Sequence, residues 1–147
     1  FKLDERLTRD CYVLGQWNTN RLLLMDNALI PWFILVPDTQ QIEFYKLPYD
    51  QQLDTLDKIN RLSKILMNNF DVKKLNIATI GNIVSQLHIH VIGRSPGDHC
   101  WPSVAWGNPQ RKPYTQDQLT RTTNILQNGI TDQYSAYQVK IKSNFGG

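Results

Sequence analysis

Gly81-Asn82-Ile83-Val84-Ser85-Gln86-Leu87-His88-Ile89-His90-Val91-Ile92-Gly93-Arg94 is the stretch on which the reading of this chain turns. From Gln86 to Ile92 its residues alternate as a β-strand requires, with successive side chains on opposite faces. Gln86, His88, His90 and Ile92 share one face. Leu87, Ile89 and Val91 share the other, which is wholly apolar and must face a core. The first face holds two of the three histidines of the chain, side by side, with an amide next to them.

This grouping suits chemistry on an anion. A neutral imidazole is a good nucleophile near neutral pH. A second imidazole two residues on lies about 7 Å further along a strand, within reach of the same phosphate group. It can donate a hydrogen bond to oxygens that gain charge in a transition state. Gln86 can donate or accept beside it. Backbone N–H groups around Gly81 and Asn82 can come close to a phosphate, since glycine has no Cβ. Spacing alone leaves three readings open: a structural histidine pair, a metal site, or phosphate chemistry. A metal site needs three or four ligands. His99, with Asp98 beside it on the following loop, makes His88, His90 and His99 the candidate set.

Working outward, the chain has 147 residues, enough for one domain with a real core. The balance of 41% hydrophobic and 20% charged residues excludes disorder as a class. A net charge of +3 favours anionic ligands mildly, but Lys and Arg are scattered, which argues against a nucleic-acid partner. Cys11 and Cys100 form no CxxC pair and read as reduced thiols of a cytoplasmic protein. The longest apolar run, Ala28 to Val36, contains Pro31 and is too short to span a bilayer, so no membrane partner is expected. No charged segment followed by an apolar one opens the chain, so no signal peptide is expected. The first residue is Phe1 rather than Met, which leaves the true N-terminus open.

The remaining segments predict an α+β domain built on an antiparallel sheet of about five strands, with one long helix and a C-terminal helix. Asp4 is expected to cap a short helix carrying Leu7 and Cys11 and ended by Gly15. Leu22–Asp26 and Trp32–Val36 read as a hairpin joined by a turn over 27–31, and Gln41–Leu47 as a short third strand. Asp50 is expected to cap the long helix, about Gln51–Asn69. Leu53, Leu56, Ile59, Leu62, Leu66, Met67 and Phe70 form its core face, and Ile65 falls off that face. Leu75–Ile80 reads as a strand. The Thr115/Gln118 capping-box pattern starts a last helix that ends near Gly129. Tyr134–Lys142 alternates weakly as a final strand, and 143–147 reads as a frayed tail.

Gln86-Leu-His88-Ile-His90-Val-Ile92 resembles the motif of the histidine-triad (HIT) family, His-φ-His-φ-His-φ-φ with φ apolar. Gly81-Asn82-x-Val84 before it and Gly93-Arg94 after it also match. Leu23-Leu-Met-Asp26, followed by Pro31-Trp-Phe-Ile-Leu-Val-Pro37, resembles the hairpin that carries the family's nucleoside pocket. Trp101-Pro-x-Val-x-Trp-Gly107 resembles the tail of a bacterial subgroup that also has Gln at the first position. The resemblance spans about residues 3–110 of a single domain over 1–147, with 111–147 as C-terminal helix and tail.

That resemblance implies a hydrolase or transferase acting at the α-phosphate of nucleotides such as dinucleoside polyphosphates or nucleoside phosphoramidates. It implies His88 as nucleophile forming a transient nucleotidyl-histidine, His90 on the phosphate oxygens, and Gln86 as the third catalytic position. Asp26, or Asn27 with a one-residue shift, would hold the ribose. Asn82, and less strongly Asn76, would lie near the phosphate or leaving group. No cofactor is required, with Mg²⁺ able to accompany a polyphosphate substrate, and the expected assembly is a homodimer. Gln86 departs from the pattern, since it cannot take up a proton. If its position works through the backbone carbonyl and packing, catalysis survives. Three rivals stand beside this reading: a nucleotide-binding module with weak turnover, a metal-dependent hydrolase using His88, His90 and His99, and a purely structural or interaction protein.

Overall fold

In the computed structural model, which describes residues 1–142, antiparallel pairing joins six strands in the order β4-β5-β3-β2-β1-β6. They are β1 (Cys11–Trp17), β2 (Asn20–Met25), β3 (Trp32–Pro37), β4 (Lys74–Ala78), β5 (Ile89–Arg94) and β6 (Tyr134–Ala136). Three helices accompany them: α1 (Glu5–Asp10), α2 (Tyr49–Asn69) and α3 (Gln116–Gly129). The α+β fold and the antiparallel sheet are those the sequence predicts, with one strand more. The tail over 143–147 lies outside the described residues. Among those described, no helix is long and apolar enough to cross a membrane.

The central strands are buried on both faces, and this governs where a site can form. On one face α2 and α3 cover Leu22, Leu24, Phe33, Leu35, Ile89 and Val91. On the other, α1 and the loop after β5 cover Leu23, Ile34, Val36 and Ile92 with Leu3, Leu7, Cys100 and Ala105. Each leucine or phenylalanine so enclosed contributes about 1.5–3 kcal/mol of transfer free energy. Ile34 pairs with His90 and Trp32 with Ile92, so both imidazole-bearing positions belong to this second face.

The hairpin and the last helix follow their local signals. Thr115 Oγ1 accepts from Gln118 N while Gln118 Oε1 accepts from Thr115 N, closing the capping box. Other expectations fail for identifiable reasons. Gly15 ends no helix: α1 stops at Asp10, and Gly15 lies within β1 beside an irregularity in its pairing with β2. A Cβ there would stand 2.5 Å from the Ser135 carbonyl oxygen, so glycine lets β6 approach. The segment Gln41–Leu47 forms a 3₁₀ turn over Phe44–Lys46 instead of a strand. β3 already has β2 and β5 on its two sides and offers no open edge.

The long helix begins after Pro48, and Asp50 sits in its first turn, where an acid favours the helix dipole. Its buried face also differs from the apolar stripe. Ile65 is buried beside Leu62 and Leu66, while Leu53, Leu56 and Met67 are exposed. Lys58 lies on the same buried face. Its side chain is 1% exposed, with the ammonium 3.0 Å from Asp54 and 3.1 Å from Asp57, over the Trp17 ring. The final strand is only three residues long. Beyond it Lys142 Nζ donates to the carbonyls of Thr8, Arg9 and Cys11 at the end of α1.

Candidate active site

The expected strand begins later than its sequence suggests: Gln86 and His88 precede β5, and His90 is its second residue. Both histidines nonetheless face the same side, with ring centroids 4.9 Å apart. They line a cavity of about 390 Å³ between α1, the 80–84 segment and the loop after β5. One wall is apolar, with Leu7, Met25, Ile34 and Trp106; Arg6, Asp10 and Asn82 supply the polar groups.

The hydrogen bonds on the two rings assign their protons. His88 Nδ1 lies 2.6 Å from the Gln86 carbonyl oxygen, which can only accept. Nδ1 therefore carries a hydrogen, and in the neutral ring Nε2 keeps its lone pair. His90 has the opposite arrangement. Trp32 Nε1, an obligate donor, lies 3.0 Å from His90 Nδ1, so that nitrogen accepts and the neutral ring is protonated at Nε2. Burial, and secondarily the repulsion that a protonated His88 would exert, lower the His90 pKa to about 3. The ring is therefore neutral across the physiological range. Trp106 stacks edge-on against His90, with centroids 5.2 Å apart, and its buried Nε1 has no acceptor among the described residues.

Gln86 contributes to this arrangement from outside the cavity. Its side-chain amide donates to the Lys2 carbonyl and accepts from Asp4 N, both at 2.8 Å. The side chain clamps the segment leading into α1, while the backbone carbonyl orients His88. Arg6, held by Asp4, donates to the Ile83 carbonyl at 2.9 Å and ties α1 to the 80–84 segment. Gly81 there has φ +68°, a conformation that favours glycine, and Asn82 beside it lines the cavity.

Other candidates lie apart. Asp26 Oδ1 accepts from Tyr114 N, and Asn27 Oδ1 accepts from Leu29 N and Lys112 N. Both secure the 110–114 segment, and neither lines the cavity; Asp10 does. Asn76 accepts from Arg94 Nη1 at 2.9 Å. Arg94 also binds Asp98 through two nitrogens and donates to the Ser103 carbonyl, fastening the loop that carries Trp106.

The metal alternative needs correction. His99 does not join His88 and His90; its ligand atom clusters with those of Asp98 and Cys100. Arg94 already donates to both of those partners, so a cation there would face a guanidinium. Sequence reasoning missed Trp32, Arg6 and Asp10. Trp32 could have been found only through the register of β3 on β5, which brings it diagonally next to His90.

With this geometry in view, a family model described as HIT domain matches residues 6–97, more than half of the chain. Three solved structures of histidine triad proteins resemble the fold closely. The one from Marinobacter aquaeolei is 40% identical, with a TM-score of 0.84 over 88% of this chain and 95% of that one. That from Sinorhizobium meliloti is 33% identical, with a TM-score of 0.85 over 88% and 97%. That from Bradyrhizobium japonicum is 32% identical, with a TM-score of 0.86 over 89% and 98%. No curated protein matches.

The Arg94–Asp98 pair has a consequence for acid stability. Burial alone would raise the Asp98 carboxyl, but the Arg94 hydrogen bonds and the Ser95 and Cys100 N–H groups outweigh it and hold it far below the ordinary range. The stabilisation is fully present above the unfolded pKa of about 3.9 and is lost as pH falls toward the folded value. Asp98→Asn should cost about 3 kcal/mol at pH 7, and the difference from wild type should shrink below about pH 4. Denaturant titrations across pH check this; a pH-independent difference would contradict it.

Proposed function

The chain belongs to the HIT domain family, and from that premise we propose that it is a nucleotide hydrolase or transferase in which His88 attacks an α-phosphate. The observation that carries this reading is the opposed hydrogen bonding of the two rings, His88 Nδ1 on an acceptor and His90 Nδ1 on a donor. His88 offers a free Nε2 lone pair, and His90 offers an Nε2–H donor beside it. The His88 lone pair forms the N–P bond while the bond from phosphorus to the leaving group breaks. The His90 N–H and the Asn82 region then stabilise the charge gathered on the phosphoryl oxygens. Water releases the nucleoside monophosphate from the transient nucleotidyl-histidine. Catalysis is chiefly positioning and electrostatics, with no cofactor and with Mg²⁺ entering only as a companion of a polyphosphate substrate. A cytoplasmic location fits the two buried, unpaired thiols.

Gln86 serves this mechanism through its carbonyl, which every residue has. His88→Ala should therefore reduce turnover by a factor on the order of 10³ or more, whereas Gln86→Ala should lose about tenfold or less. Steady-state kinetics on folded variants decide it. An active His88→Ala enzyme overturns the nucleophile, and a Gln86→Ala loss equal to that of His88→Ala overturns the carbonyl role.

We place the ribose at the end of the cavity where Asp10 lies, in preference to Asp26, whose carboxylate is taken by Tyr114 N. A carboxylate there suits a pair of hydroxyls. Asp10→Ala should weaken AMP more than 2′-deoxy-AMP in calorimetric titration. Equal loss for both nucleotides contradicts the assignment.

A homodimer completes the proposal. β4 is an edge strand with Ile77 exposed, and Leu53, Leu56 and Met67 lie exposed on one side of α2. An open edge and an apolar helix face both favour burial against a second copy. Sedimentation equilibrium at micromolar concentration should give about twice the 17.1 kDa chain mass. A mass of one chain contradicts it.

A further inference from the structure

The proton inventory of the cavity restricts the leaving group. Five titratable side chains line it among the described residues: Arg6, Asp10, Cys11, His88 and His90. Arg6 does not give up its proton. Asp10 is held ionised by its hydrogen bonds from Arg9. Burial pushes the Cys11 thiol up to about 12, which makes it a very weak acid. As a nucleophile His88 is neutral, and its one hydrogen is held by the Gln86 carbonyl. Gln86, at the position where the family motif has histidine, has no acidic proton.

His90 is thus the only remaining candidate for a general acid, and Trp32 removes it from that role. To act as an acid at Nε2 the ring must first be an imidazolium, with a second proton on Nδ1. The indole N–H already points at that nitrogen from 3.0 Å, and an imidazolium would set two donors against each other. The neutral ring can donate a hydrogen bond from Nε2. Releasing that proton outright would leave an imidazolate, and the indole N–H is too weak an acid to resupply it. The lowered pKa of the ring, caused by burial and by His88, points the same way.

We propose that Trp32 is a positioning residue that fixes His90 as a hydrogen-bond donor, and that the site therefore takes nucleotides whose leaving group departs unprotonated, phosphoanhydrides rather than amine phosphoramidates. This rests on the reading of His88 as nucleophile. In the favoured reaction the His88 Nε2 lone pair forms the N–P bond, and the P–O electron pair leaves with the departing phosphate as a stable oxyanion. No proton is required. With an amine leaving group the P–N electron pair would depart on nitrogen as an amide anion. That departure needs a proton, which none of the five groups supplies.

The test has a kinetic and a spectroscopic arm. In wild type, kcat/KM for a dinucleoside polyphosphate should exceed that for an adenosine phosphoramidate of an alkyl amine by about 10² or more, the usual yield of general-acid catalysis. In a series of adenosine 5′-monophosphate aryl esters, rates should fall steeply as the phenol becomes less acidic. Equal use of anhydride and amine substrates, or a flat series, overturns the inference while leaving the nucleophile intact. Failure of every substrate to label His88 overturns the parent reading instead. Nitrogen-15 NMR should show His90 Nδ1 unprotonated and Nε2 protonated throughout pH 5–8. Trp32→Phe keeps a ring in place and removes the donor. It should shift the His90 Nδ1 resonance and lower kcat for the anhydride with KM little changed. A wild-type ring protonated at Nδ1, or a Trp32→Phe spectrum and kcat like those of wild type, contradicts the role given to Trp32.

Discussion

The pairing of β3 with β5 is the constraint from which the site follows. Ile34 stands opposite His90 and Trp32 opposite Ile92, so Trp32 and His90 are diagonal neighbours on one face. A slip of one residue would send Trp32 to the α2 side and leave His90 Nδ1 without its donor. The register is pinned because both faces are buried: Phe33, Leu35, Ile89 and Val91 pack under α2 and α3, and Ile34 and Ile92 under the opposite loops. Hydrophobic packing on one side of the sheet thereby sets a proton position on the other.

Closure of the second face is polar. Arg94 leaves β5 into a buried network with Asp98, Asn76 and the Ser103 carbonyl, which holds the loop bearing Trp106 over His90. Removing either charged partner would strand the other in a poorly solvated place. At the opposite end of the cavity, the Gln86 amide bridges Lys2 and Asp4, and Arg6 reaches the Ile83 carbonyl. The cavity is thus shaped in part by side chains outside its lining, Arg94, Asp98 and Gln86, and their loss would act through misplacement of His88, His90 and Trp106.

The features legible in sequence were those with a local signal. Alternation placed His88 and His90 on one face, the capping box started α3, and the apolar hairpin of β2 and β3 was plain. What escaped depends on partners distant in the chain. Gly15 reads as a helix stop unless β6 is known to lie against it. The buried face of α2 includes Lys58, a residue no hydrophobic pattern counts, and Ile65, which lies off the apolar stripe. Asp26 looked like a pocket residue but is engaged by Tyr114 N, 88 positions away. The Trp32–His90 bond, across 58 positions, has no local trace at all.

The central claim is that His88 Nε2, free because the Gln86 carbonyl holds the other ring nitrogen, becomes the covalent carrier of the nucleotide. Rapid quenching of the protein with a labelled dinucleoside polyphosphate, followed by peptide mass mapping, tests it most directly. The account predicts an acid-labile nucleotidyl adduct on the peptide containing His88, formed and consumed at rates compatible with turnover. Turnover with no adduct on that peptide, or an adduct on another residue, would contradict it.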